Sequence, residues 1–165
     1  MIIQAGFDFV ILARPFIVPD GRVRSNLVLV CVDADMQLDS VQVITEDFAG
    51  SLAPFHDAVL MAPDSEFTRY FAIAHPGRFS GYFGGSEPIL DDANSLESKA
   101  AERGMQLIGH FAVDETGYMS ARAHMYFDQY PSHNDLPRTM LHWSRSNVDR
   151  CLCARCDLSC RPAGA

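Results

Sequence analysis

Leu27-Val28-Leu29-Val30-Cys31-Val32 is the stretch whose reading decides the fold. Its six apolar residues, half of them valine, lie between Pro19-Asp20-Gly21 and Asp33-Ala34-Asp35, both of which read as turns. A strand with one face in water alternates apolar and polar residues, and this one does not alternate. It therefore predicts a strand covered on both faces, which in turn requires helices on both sides of a sheet.

The neighbouring segments supply those parts. The opening apolar run Phe7 to Leu12 reads as a further strand, and Val41-Gln42-Val43-Ile44-Thr45 alternates as a half-buried strand should. From Pro54 to Met61, Phe55, Ala58, Val59 and Ala62 have helical spacing, and Pro54 suits a first turn. Tyr70 to Ala74 predicts a short buried strand ending at His75-Pro76-Gly77, followed by a glycine-rich loop to Pro88. Asp91 to Arg103 predicts a helix, with acids at its start, Leu96, Ala100 and Ala101 on one face, and Gly104 as its stop. Gln106 to Val113, the turn Asp114-Glu115-Thr116-Gly117 and Tyr118 to Ala121 predict a hairpin. The expected fold class is α/β, a mixed sheet flanked by helices.

A chain of 165 residues that is 48% hydrophobic can bury one good core and is short for two. We expect one domain over residues 1–137 and a basic, cysteine-rich tail over 138–165. The net charge of -8 disfavours binding to bare phosphate backbones. From Arg138 to Arg161, however, five arginines stand against two aspartates, so nucleic acid is expected as a partner only through this tail. No apolar run approaches the roughly 20 residues of a membrane span. Neither a membrane partner nor a targeting peptide is expected, and the clustered cysteines point to a reducing, cytoplasmic compartment.

Four places in register resemble the RadC-like branch of the JAB/MPN family. Leu29-Val30-Cys31-Val32-Asp33-Ala34 looks like the family's opening strand and turn. Ala72-Ile73-Ala74-His75-Pro76-Gly77 stands where that family writes a strand running into His-Asn-His-Pro-Ser-Gly. Gly104-Met105-Gln106-Leu107-Ile108-Gly109-His110 copies the spacing of its Gly-Ile-x-Leu-x-Asp-His segment, and Phe111 to Arg122 follows its closing hairpin. The resemblance runs from about Leu27 to Ala123.

That resemblance implies a zinc ion held by two histidines and an aspartate, with a glutamate as general base and a serine to steady the oxyanion. Three protein ligands leave zinc an open position, where bound water becomes acidic enough to attack an amide. Carried over residue by residue, the metal ligands fall on His75 and on Asp91 or Asp92, the serine on Ser86, and the nearest acids to the glutamate are Asp39, Glu46 and Asp47. The first histidine of the pattern falls on Ile73, which has no lone pair to offer a cation.

Each of these residues also has a plain structural reading. His75 can be a hydrogen-bonded strand-end residue, and His110 is expected to be structural. Asp91 and Asp92 sit where a helix N-terminus favours negative charge by about 0.3–1 kcal/mol. Ser86 lies in no nucleophile elbow, and Gly81-Tyr82-Phe83-Gly84-Gly85 matches no phosphate-binding loop. His56, His124, His133 and His142 have no partner at a recognisable spacing. Cys151, Cys153, Cys156 and Cys160 form either a second metal site, with His142 as a spare ligand, or a tail prone to oxidation.

The expected function is a divergent RadC-like JAB/MPN domain, impaired in catalysis and acting by binding a protein partner. The resemblance alone attaches an association with DNA repair or mobile elements. The rivals are an active zinc metallopeptidase acting on a peptide or isopeptide through a rearranged site, and an interaction module working through the Cys/Arg tail.

Overall fold

The run that opened the sequence reading is β1 (Leu27–Val32), and all six of its residues are buried. In the computed structural model, which describes residues 1–3, 6–64, 66–79 and 87–121, it lies inside a five-stranded sheet. The other strands are β2 (Leu38–Thr45), β3 (Tyr70–Pro76), β4 (Gln106–Val113) and β5 (Tyr118–Ser120), in the spatial order β2-β1-β3-β4-β5. The pairs β1/β2, β1/β3 and β4/β5 are antiparallel, whereas β3 and β4 run parallel. A parallel pair needs a crossover, and here it is the helix α3 (Pro88–Glu102).

Both faces of the sheet are covered, as β1 requires. On one face α1 (Gly6–Ile17) packs Phe9, Val10, Ala13 and Ile17 against Val28, Val30, Val32, Ala72, Ala74, Ile108, Phe111 and Val113. On the other, α3 and the shorter α2 (His56–Met61) cover Leu27, Leu29, Cys31, Phe71, Ile73 and Leu107 with Val59, Leu60, Ile89, Ala93, Leu96 and Ala100. Burial pushes the Cys31 thiol up to about 11, so it behaves as a small apolar core residue.

The ends of α3 are written in its sequence. Pro88 occupies the first turn, where its missing N–H costs nothing. At the other end Gly104 takes φ 73°, its N–H bonds the carbonyl of Ala101, and Met105 bonds back to Ala100. This glycine-closed ending satisfies carbonyls that the helix leaves open.

The opening run corrects the sequence reading, since Phe7 to Leu12 is part of α1 and not a strand. The positions Phe9, Val10, Ala13 and Ile17 recur at helical spacing and face the sheet with Leu12 packed at their edge, yet Ile11, Pro15 and Phe16 put apolar groups on the exposed side too. From Phe9 to Ala13 the two apolar sets leave no polar gap, so the helical period is hidden, and Pro15 inside the last turn suggests a break. Arg14 fastens that turn, donating to the carbonyls of Asp114 (3.1 Å) and Glu115 (3.0 Å) at the β4–β5 turn.

No helix among the described residues is long and apolar enough to cross a membrane.

Candidate functional site

β3 alternates faces, so Phe71, Ile73 and His75 point toward α2 and α3 while Ala72 and Ala74 point toward α1. By the same rule Leu107 and Gly109 of β4 would share one face, and His110 would lie on the α1 side. The ladder instead shifts register between Phe71↔Leu107 and Ala72↔Gly109, so that Ile108 is an extra residue on β4. This bulge turns every later residue of β4 over and brings His110 opposite Ile73, on the same face as His75.

The bulge needs a glycine. A Cβ on Gly109 would lie 2.6 Å from Cε2 of Phe111 and 2.9 Å from Cβ of Ala72, so the Phe111 ring occupies the space a side chain would take. That ring also stacks on Phe9 of α1. The glycine, the bulge and the face presented by His110 are therefore one feature.

The product is a buried pair of imidazoles, with Nε2 of His75 and Nε2 of His110 2.9 Å apart and the two residues 3% and 0% exposed. Nδ1 of His75 is 3.0 Å from the carbonyl oxygen of Pro76. A carbonyl only accepts, so Nδ1 carries the proton of His75 and donates it to Pro76. Burial pushes the His75 pKa down to about 4, against smaller upward pulls from the Pro76 carbonyl and the charge of Glu87. At neutral pH the ring is uncharged, its Nε2 has a lone pair, and Nε2–H of His110 donates to it.

Two phenylalanines enclose the pair. Phe48, from the segment after β2, lies with its ring centroid 5.1 Å from that of His75. Phe79, after β3, meets His75 and His110 edge-on at 5.6 and 5.0 Å. Ile73 is fully buried in the apolar cluster beneath them.

The remaining expected residues lie elsewhere or outside the described residues. Oδ2 of Asp92 accepts from Ser51 Oγ (2.8 Å) and from the N–H groups of Leu52 (2.9 Å) and Ala53 (3.2 Å), ahead of the 3-10 turn Ala53–Phe55 that leads into α2. Partial burial raises the Asp92 pKa, but these bonds and the nearby His56 outweigh it and hold the carboxyl below its usual range. Asp91 is exposed in the first turn of α3, and Glu46 is exposed just past β2. Ser86, Cys151, Cys153, Cys156 and Cys160 lie outside the described residues. Among the described residues no group of three His, Cys, Asp or Glu side chains is placed to hold a metal ion.

A third buried histidine, His56, joins α2 to α3. Nδ1 of His56 is 3.1 Å from the ammonium of Lys99 on α3 and so accepts from it. Burial lowers the His56 pKa and the Lys99 charge adds to this, against weaker opposing pulls from Asp92 and Asp57.

At the far end of β3 a cleft of about 680 Å³ is lined by Arg69, Tyr70, Glu97, Ser98, Met105 and Gln106. It starts five residues before His75, roughly 16 Å along an extended strand, and does not belong to the histidine site.

Fold and site together define a mixed α/β domain whose five-stranded sheet, flanked by helices, carries a closed pair of histidines. No protein-family model matches the chain, and no match to a curated protein was found.

Proposed function

We propose that this chain is a divergent RadC-like JAB/MPN domain that acts by binding a protein partner and not by zinc-dependent hydrolysis. The element order supports the architecture: an antiparallel strand pair, a helix, a strand ending in His-Pro-Gly, a crossover helix, then a parallel strand continuing into a hairpin. The four resembling segments fall on β1 and its turn, on β3, on the start of β4 and on the β4–β5 hairpin.

The observation that carries the reading is the engagement of His75. A hydrolytic zinc site needs three donors and an open position that water can reach. Here both nitrogens of His75 have partners, the ring is enclosed by Phe48 and Phe79, and Ile73 stands one ladder step away with no donor atom. The Asp92 carboxylate is turned to the Ser51–Ala53 segment. These groups suit a packed scaffold, and a scaffold that does no chemistry works through its surface.

Elemental analysis of the purified full chain tests this, comparing wild type with His75→Asn and with a variant in which Cys151, Cys153, Cys156 and Cys160 are all serine. The expected result is zinc content that does not change with His75→Asn, whatever the cysteines hold. Loss of one zinc per chain in His75→Asn and not in the cysteine variant, together with peptide or isopeptide cleavage by wild type alone, would overturn it.

A further inference from the structure

The chain has 13 lysine and arginine residues, and Lys99 is its single lysine. It occupies an exposed position in the last turn of α3, yet its Nζ is 3.1 Å from Nδ1 of His56, a buried residue of α2. One turn further on, Arg103 donates to the carbonyl of Leu60 (3.1 Å) and ties the two helices together there. Wherever else this chain needs a cation it uses arginine. What lysine has and arginine lacks is an amine that gives up its proton and acts as a nucleophile. His56 stands where such an amine needs a base. Its Nδ1 accepts from Nζ, so the proton of the ring itself is on Nε2. Burial keeps this ring uncharged at neutral pH, and the Lys99 charge adds to the effect.

We propose that Lys99 is an acyl-acceptor site, at which His56 is the general base for attack of Nζ on an activated acyl group, a thioester or an acyl phosphate. The unprotonated amine attacks the carbonyl carbon and the N–C bond forms, leaving one proton too many on Nζ. Nδ1 of His56 takes that proton. The C–S or C–O bond then breaks, and the thiolate or phosphate departs with the electron pair and receives the proton from the imidazolium. The products are an amide on Nζ and a free thiol or phosphate, so the reaction needs no oxidant, reductant or further reactant. A base already in contact with the amine removes the proton before the adduct falls back to its reactants, and a positioned base of this kind contributes about 10²–10⁴ in rate. The amide keeps one N–H, so the contact with Nδ1 survives acylation while the positive charge beside His56 is lost.

The test incubates the full chain at neutral pH with acetyl-coenzyme A and, in a parallel arm, with acetyl phosphate, beside Nα-acetyl-lysine amide as a free model amine. Peptide mapping after hydroxylamine, which strips acyl groups from sulfur, gives the rate at Nζ and separates it from the α-amine. Lys99 is expected to outpace the model amine about tenfold or more in at least one arm, and that arm identifies the donor. His56→Gln, with its fold checked by thermal melting, should fall to the rate of the model amine. The wild-type reaction should also show a solvent deuterium isotope effect that the model amine lacks, and this decides by itself should His56→Gln fail to fold. A Lys99 no faster than the model amine in both arms overturns the proposal. So does a folded His56→Gln chain that reacts as fast as wild type, or an isotope effect equal to that of the model amine, because the Nζ–Nδ1 contact would then be only a clasp between α2 and α3.

Discussion

At the scale of the residue, His75 carries the most chemistry and was only half legible. Its place at a strand end follows from the sequence, and so does the absence of a donor at Ile73. Its pairing with His110 does not, because straight alternation along β4 assigns His110 to the other face. Gly109 is the signal that could have given the bulge away, since a glycine inside an apolar strand marks a close approach or an irregular step. The pair also makes a prediction. In the unfolded chain His75 takes up a proton near its ordinary value of 6.5, while in the folded chain it does so near 4. The folded state thus binds fewer protons in that window, so the contribution is complete above about pH 6.5 and is lost as pH falls toward 4. At about 1.4 kcal/mol per unit, the buried ring alone accounts for up to about 3 kcal/mol. His56 shifts in the same direction and adds to the slope. Urea unfolding at a series of pH values should show this acid decline, and His75→Gln should make it clearly shallower whatever its effect at pH 8. A variant with an unaltered slope would mean that the ring is not held neutral.

At the scale of the element, α2, α3, β1 and the hairpin were legible because each has a pattern of one period with punctuation at its ends. The helix α1 was not, for the opposite reason: from Phe9 to Ala13 its two apolar sets add up to a run with no visible period. Asp92 shows a different limit. An acid in the first turn of a helix has a sufficient local explanation in the helix dipole, and nothing in the sequence says that its carboxylate reaches Ser51, Leu52 and Ala53, some forty residues upstream. This contact joins the start of α3 to the approach to α2, and Lys99 with His56 joins the same two helices a second time. Asp91 and Asp92 should therefore part company. Asp92→Ala removes three hydrogen bonds to one carboxylate oxygen and should cost about 1–3 kcal/mol, with faster amide exchange in His56–Met61 than the global loss accounts for. Asp91→Ala, at an exposed position, should stay within about 0.5 kcal/mol of wild type. Equal costs for the two would refute the assignment of the bridge to Asp92.

At the scale of the whole molecule, β1 is the shared wall of two cores. Val28, Val30 and Val32 belong to the α1 side, and Leu27, Leu29 and Cys31 to the α2 and α3 side. The layer order was readable from that one strand, because six unbroken apolar residues have no use for a wet face. What the strand does not encode is whether the two cores can fail separately. The ladder argues that they cannot, since β1 and β3 each contribute alternate residues to both clusters and neither face can be exposed without tearing the backbone that supports the other. Leu29→Ala should cost about 2–5 kcal/mol by leaving a cavity under α3. Val30→Ala should cost roughly 1.5–3 kcal/mol on the α1 side. Both should shift one and the same transition, with the calorimetric and van't Hoff enthalpies of the described domain in agreement. If α1 instead peeled away first, Val30→Ala would split the melt into two steps while Leu29→Ala moved only the later one. That outcome would make the α1 layer a separable cover, and the sheet with α2 and α3 the unit that folds.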